Sequence, residues 1–367
     1  MNAGIFVTMA GRNAAGPETY EISLVRALAT LQPQQEFNIF CLSEAAKASF
    51  QLNQQNVRLH VLRPASRWLS MPFSLPLAVA NTGCTFLHAT LTAPPFLTKP
   101  LVFTVHDLTM LRNPEFYDRL IRFRLSQTIR PAIKKAQMLI CISDAVRQEL
   151  QEDFGIPDDR VVVVHHGVDP AFTPISNARS VVCQSLGIDR PYLLFVGQMK
   201  LRKNIFRILE AFAHVRETGL DVALVLAGRR GHTTEGMDDV IAQHNLANHV
   251  IELGHVEDKI LPALYSAAEA FVFPSLHEGF GLPVLEAMAC GTPVLTSNTS
   301  ALPEIAGDAA LLVDPTSVDA IADGLACILT DSCLHNRLIA AGKIRASKFT
   351  WQAAAEQTMR AYECMTN

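Results

Sequence analysis

The segment Phe273-Pro274-Ser275-Leu276-His277-Glu278-Gly279-Phe280-Gly281-Leu282-Pro283-Val284-Leu285-Glu286 sets two carboxylates around a glycine-rich turn. It reads as strand, turn and helix. Pro283 suits the first helical turn, where its missing N–H costs nothing. Gly279 and Gly281 let backbone amides approach a ligand closely. A helix N-terminus offers unpaired N–H groups and partial positive charge to an anion. Glu278 falls in the turn and Glu286 about one turn into the helix. An ionised carboxylate accepts hydroxyl hydrogen bonds, so one on each side of a phosphate site suits a sugar on one side and a ribose on the other. The residues alone also fit a capped helix with solvated glutamates.

Two further places carry candidate chemistry. Arg202 and Lys203 follow the apolar run 192–196 and precede a helical pattern. Cations at a helix N-terminus oppose the macrodipole, which calls for an anion to compensate them. His106 follows the apolar run 101–105, at a strand end where ligands gather. A hydrogen-bonded core histidine is the alternative, and Asp107 beside it suits an N-cap. No Asp-x-Asp occurs, so no essential metal is expected, and no cofactor. No second carboxylate pair announces a hydrolase. No G-x-G-x-x-G follows the first strand and no P-loop is present.

These residues need elements to hold them. Short apolar runs at 5–7, 37–41, 101–105, 138–142, 161–164, 192–196, 223–227, 270–273 and 293–296 alternate with helical patterns at 19–30, 117–135, 144–153, 204–215 and 282–289. The runs are continuously apolar, as strands buried on both faces are. Alternation of this kind predicts an α/β fold of doubly wound parallel sheets. The chain has 367 residues, enough for two such domains. Gly167, Pro170 and Pro174 place a linker near 167–190. The expected divisions are 1–172, 173–349 and a final helix in 350–367, capped by Thr350 and packing back toward the first domain.

The net charge of -4 argues against nucleic-acid binding. It divides unevenly: 16 Lys and Arg against 14 Asp and Glu through Phe172, and 15 against 21 beyond it. Eight cysteines without a CxxC pair suit a reduced protein. With no signal-like start and no run of about 20 apolar residues, the expected location is cytoplasmic. The stretch 112–135 carries Arg112, Arg119, Arg122, Arg124, Arg130, Lys134 and Lys135 against Glu115 and Asp118. A peripheral seat on anionic membrane at its inner face, or an ordinary solvated helix face, both fit it.

The segment from Glu278 to Glu286 resembles the Glu-x7-Glu signature of retaining GT-B glycosyltransferases of family four. Gly197-Gln198-Met199-Lys200-Leu201-Arg202-Lys203-Asn204 resembles the family's Gly…Arg-Lys-Asn segment. Leu224–Gly228 resembles its "VLAG" strand, and Val250–Val256 the strand before the base-binding loop. Val102–Leu108 resembles "TVHDL", and Gly16-Pro17-Glu18-Thr19-Tyr20 the N-terminal glycine-rich loop.

The resemblance implies two Rossmann-like domains facing across a cleft. It implies Glu286 on the nucleotide ribose, Glu278 on the sugar, and amides of Phe280, Gly281 and Leu282 on sugar and diphosphate. Arg202 and Lys203 would stabilise the leaving diphosphate, His106 would contact the sugar, and Gly16, Gln198 and Val256 would complete the donor site. Relatives place Arg where this chain has Gln198, and Asn where it has His166. Arg12 would meet an acceptor phosphate or stay solvated. The implied reaction is retaining transfer of a hexose to a carbohydrate or lipid-linked acceptor in cell-surface polysaccharide synthesis. The implied donor is GDP-mannose, with a UDP-sugar next. A GT-B-like sugar-nucleotide epimerase and a non-catalytic binder are the other readings.

Overall fold

The computed structural model describes residues 2–12, 16–52, 54–66, 69–117, 119–231 and 233–365. It divides into two compact units, one of Met1–Gly167 with Thr350–Asn367, the other of Val168–Phe349.

The first unit holds a seven-stranded sheet: β1 (Asn2–Phe6), β2 (Glu36–Cys41), β3 (Val57–Val61), β4 (Phe86–Ala89), β5 (Leu101–Val105), β6 (Met138–Cys141) and β7 (Val161–Val163), in the order β3-β2-β1-β4-β5-β6-β7. Every pair is parallel. The central strands β4, β5 and β6 are buried along their whole length, and the edge strands β3 and β7 are only partly so. That gradient explains why β3 escapes the sequence patterns, Val-Arg-Leu-His-Val being a half-solvated edge; β4 escapes because it is short and carries His88. The helix Trp351–Glu363 belongs to this unit. Thr350 caps it by accepting from the Ala353 N–H (3.1 Å), and Trp351, Ala355, Met359 and Tyr362 share a core with Tyr20, Leu24 and Leu28 of helix Gly16–Leu31.

The second unit holds β8 (Tyr192–Val196), β9 (Ala223–Ala227), β10 (Val250–Gly254), β11 (Ala270–Phe273), β12 (Val294–Ser297) and β13 (Leu311–Val313), also all parallel, in the order β10-β9-β8-β11-β12-β13. Both sheets thus reverse direction of winding beside their first strand, at β1/β4 and β8/β11. In open α/β sheets ligands bind outside the carboxyl ends of strands at such a reversal.

Three boundaries differ from expectation. The units divide at Gly167/Val168, not at 172/173. The reason is local. A Cβ on Gly167 would lie 2.1 Å from the Trp351 nitrogen, so Gly167 is packed against the first unit's last helix. Val168 donates to the Phe349 carbonyl (3.0 Å) and Phe172 packs on Tyr265, which ties 168–172 to the second unit. Nor is 167–190 all linker. Helix Ala178–Leu186 forms within it, burying Ala178 and Val182 and ending at the left-handed Gly187. The helix expected from 117 begins at Arg119. Cys41, Cys84, Cys141 and Cys290 are buried, while Cys183, Cys327, Cys333 and Cys364 are exposed. Among the described residues no helix is long and apolar enough to cross a membrane.

Candidate active site

In the second unit, the chain leaving β8 and the chain leaving β11 are stitched together at the sheet reversal. The Leu276 N–H donates to the Arg202 carbonyl (2.9 Å). Asn204, buried and left-handed, donates through Nδ2 to the carbonyls of Pro274 (2.9 Å) and Pro315 (2.6 Å). Asparagine tolerates the left-handed region better than most side chains. This frame brings three charges together. Arg202 Nη1 donates to Glu278 Oε2 (2.8 Å) and to the His277 carbonyl (2.7 Å), and Lys203 Nζ lies 2.6 Å from Glu278 Oε1. All three side chains are largely buried.

The electrostatics follow from that burial. Burial alone would raise the Glu278 carboxyl, but Arg202 and Lys203 override it and hold it down at about 2. Burial pulls the Lys203 ammonium down to about 8, against the pull of Glu278. Lys203 also sits over the Phe273 ring, 4.3 Å from its centroid. The cluster carries two cations and one anion, a net positive charge held in a poorly solvated place. Such a site attracts an anionic ligand.

The helix Leu282–Ala289 starts beside it. Gly281 has φ 116°, and a Cβ there would come 2.7 Å from Leu302 Cδ2, so the turn admits no side chain. Phe280 is buried against Phe349, and Leu282 is buried too. Glu286 Oε2 accepts from the Tyr265 hydroxyl (2.9 Å). Burial pushes its carboxyl up to about 7, with the Tyr265 hydrogen bond opposing and Asp258 and Asp169 adding. Gly197 and Gly228 close the far side, where a Cβ on Gly228 would meet the Gly197 carbonyl oxygen at 2.0 Å. Gln198 is exposed beside them, and Val256 is buried just past the end of β10.

In the first unit the sheet reversal is arranged differently. The loop after β1 has the strand–loop–helix form that elsewhere receives phosphate. Here the amides of Thr8, Met9, Ala10 and Gly11 are already taken. Buried Glu21 accepts from the N–H groups of Thr8 (2.8 Å), Met9 (2.7 Å) and Ala10 (2.8 Å) and from the Thr90 hydroxyl (2.6 Å). Glu18 accepts from the Gly11 N–H (2.7 Å). Burial keeps the Glu21 carboxyl above its usual range although these donors oppose it. Gly16 opens the following helix with open space around its Cα, and Arg12 is exposed. Residues 13–15 of this loop lie outside the described residues.

His106 follows β5. Its Nε2 lies 2.8 Å from the Thr90 carbonyl. A carbonyl only accepts, so Nε2 carries the proton. Burial lowers the imidazole's proton affinity, so the ring is neutral and Nδ1 presents a lone pair. Tyr20 packs edge-on to His106 at 4.9 Å and also against His166, which stacks on Trp351. Behind them runs a buried chain, Tyr362 hydroxyl to His88 (2.6 Å), His88 to Thr104 (2.7 Å) and Thr104 to Tyr20 (2.9 Å).

Of the expected site residues, the second unit brings together Arg202, Lys203, Glu278 and the Phe280–Leu282 turn, with Glu286 further along the same helix. His106 and Gly16 belong to the first unit. The sequence reading missed Glu21, Asn204, Tyr265 and Thr90. Only Asn204 carried a signal, as the third residue of an Arg-Lys-Asn run; the others matter through partners distant in sequence.

Comparison with known proteins adds to this geometry. Residues 184–345 match the family model described as glycosyl transferases group 1, and residues 14–172 that of glycosyltransferase family 4. The O-antigen chain mannosyltransferase B of Escherichia coli is 35% identical over 269 residues, covering 72% of this chain and 70% of that protein. A serotype-specific mannosyltransferase, WbdA, of the same organism is 33% identical over 264 residues, 69% of this chain but 32% of its own greater length. A sucrose-phosphate synthase from Thermosynechococcus elongatus superposes with TM-score 0.79 at 22% identity, over 100% of this chain and 99% of that one. That last likeness concerns the fold.

Proposed function

We propose, for a chain that belongs to the group 1 and family 4 glycosyltransferases and has their GT-B fold, that it moves mannose from GDP-mannose to a carbohydrate or lipid-linked acceptor with retention at the anomeric carbon. The supporting observation is the buried Arg202–Lys203–Glu278 cluster at the β8/β11 reversal, a place with excess positive charge beside a helix N-terminus. The choice of mannose rests on the likeness to the O-antigen chain mannosyltransferase B and to the serotype-specific mannosyltransferase WbdA.

In this reading the diphosphate lies on Arg202, Lys203 and the amides of Phe280, Gly281 and Leu282. As the bond from the anomeric carbon to the phosphate oxygen breaks, the departing oxygen gains charge, and preorganised cations stabilise it most where water is scarce. The acceptor oxygen bonds to the same face of the carbon, and its proton passes to the departing phosphate. Glu286 takes the ribose hydroxyls, and Gln198 and Val256 flank the nucleotide. His106, through its Nδ1 lone pair, accepts from a hydroxyl of the sugar. The cations serve where other designs use a divalent metal, so full activity in EDTA is expected.

The deciding experiment offers GDP-mannose and UDP-sugars in EDTA and follows the anomeric signals of donor and product by NMR. Transfer from GDP-mannose with an α-linked product supports the reading. A preference for UDP-sugars moves the donor assignment, inversion overturns retention, and a requirement for added metal overturns the metal-free role of the cations.

Glu286 makes this reading testable by pH. Two ribose hydroxyls are best accepted by the ionised carboxylate, because the protonated form turns one oxygen into a donor, and burial pushes the free carboxyl up to about 7. Nucleoside diphosphate binding should therefore release protons and strengthen severalfold between about pH 6 and 8. Calorimetry in buffers of different ionisation enthalpy reads both effects, and Glu286→Gln should flatten them. A pH-independent affinity in the parent enzyme contradicts the ribose role.

A further inference from the structure

We propose that the first unit docks on an anionic lipid surface through the outer face of the helical stretch formed by Ser70–Ser74 and Leu75–Asn81, together with Phe96. This goes beyond the reaction assigned above and does not depend on which donor or acceptor is used.

The stretch Ser-Met-Pro-Phe-Ser-Leu-Pro-Leu-Ala-Val-Ala-Asn carries no charge. Met71, Leu75 and Val79 recur every four residues and are buried. Leu69, Phe73 and Leu77 recur at the same spacing on the other side and are 51%, 64% and 62% exposed. A helix apolar on both faces belongs where both faces meet apolar matter. Phe96, 65% exposed, lies 6.5 Å from Phe73 and widens the stripe. Single exposed apolar side chains need no explanation, but a contiguous group of large ones marks an interaction surface.

The charge around the stripe selects the occupant. Between Glu44 and Asp107 the sequence has Lys47, Arg58, Arg63, Arg67 and Lys99 and neither Asp nor Glu, although Arg58 is paired with Glu36 of β2. Lys135 Nζ donates to the carbonyls of Pro95 (3.2 Å) and Leu97 (2.9 Å), so the end of helix Arg119–Lys135 abuts the loop that carries Phe96. Arg130, Lys134 and Lys135 are exposed there, as is Phe123 on the same helix. On the opposite side, Ser74 donates to the Arg63 carbonyl (2.6 Å), and Arg63 is largely exposed, with Glu44 3.6 Å away. Apolar side chains rimmed by cations fit the boundary between acyl chains and anionic headgroups. The basic stretch expected to touch membrane is thus the flank of the surface and not its centre. Arg112 takes no part, being paired with Glu152 and Asp153. The side chains of 119–122, 124 and 125 lie outside the described residues.

The test is flotation of the full chain with vesicles of phosphatidylcholine alone or with phosphatidylglycerol added, at low and physiological salt. Three proteins are compared: the parent, Phe73→Ser with Leu77→Ser, and Arg130→Gln with Lys134→Gln. Thermal midpoints read the folding of each. The expected result is that the parent floats only with the anionic vesicles, less so in salt, and that each pair of substitutions weakens binding at least about tenfold. A parent that stays in solution with both vesicles overturns the proposal. So does equal binding to both compositions, or undiminished binding by the Phe73/Leu77 variant. A parent that is dimeric in solution and becomes monomeric with those substitutions makes a second copy the occupant, and also overturns it.

Discussion

Glu278→Ala should lower turnover about 10²- to 10³-fold, as removal of an oriented electrostatic partner does, and should cost about 3–5 kcal/mol of stability, because it leaves buried charges unpaired. The alanine variant mixes the two effects. Glu278→Gln separates them. It keeps the shape and an acceptor for Arg202 and removes the anion that supports Lys203. Burial already draws Lys203 down to about 8 with Glu278 in place; without it the ammonium titrates lower still. Whatever activity Glu278→Gln retains should then fall off at lower pH than in the parent, since the diphosphate needs the charged amine. The acid side gives an independent check. Glu278 is held at about 2, below its ordinary 4.5. Its stabilisation is complete above about 4.5 and is lost as pH falls toward about 2, so the stability gap between parent and Glu278→Gln should close across that window. A pH–rate profile with thermal unfolding at several pH values reads all of this. Parent-like activity, alkaline limb and acid stability in Glu278→Gln would sink the cluster as the seat of the diphosphate.

The second large effect concerns no ligand. Glu21→Ala removes the acceptor for three loop amides and the Thr90 hydroxyl at once. Each buried group left unsatisfied costs about 1–3 kcal/mol, less where water enters, for a total of about 3–5 kcal/mol. Glutamine offers little rescue, since its amide nitrogen would face donors. Hydrogen exchange at residues 8–11 locates the effect: protection there should collapse while the second unit, from 168 to 349, keeps its own. Unchanged protection in that loop would contradict the clamp. The amides of residues 8–10 are thus held from within the chain by Glu21.

What could be read in advance follows a physical division. Strands such as β5, β8, β9 and β11 announced themselves because both faces are buried and their residues are apolar throughout. The edge strand β3, with Arg58 and His60 on a half-solvated edge, did not, nor did the three-residue β13, whereas the equally short β7 was legible because it is valine throughout. The Glu278–Glu286 turn was readable because its parts are contiguous. That the Glu278 carboxylate is held by both Arg202 and Lys203 was not, for it depends on Asn204 and Leu276 fastening two distant segments. His106 follows a strand end, as the sequence pattern placed it, but its protonated nitrogen follows only from the Thr90 carbonyl of a neighbouring strand's loop. Local chemistry was visible, and the pairing between segments that tunes it was not.

The helix Trp351–Glu363 supplies part of the first unit's core. That unit is therefore begun first on the ribosome and completed last. Residues 2–167 leave the exit tunnel with the face of Tyr20, Leu24 and Leu28 uncovered, and the whole of 168–349 is made before the segment that covers it. The second unit contains its own sheet in one unbroken stretch and can fold during that interval. The first half's core is therefore closed only once its last helix has been made.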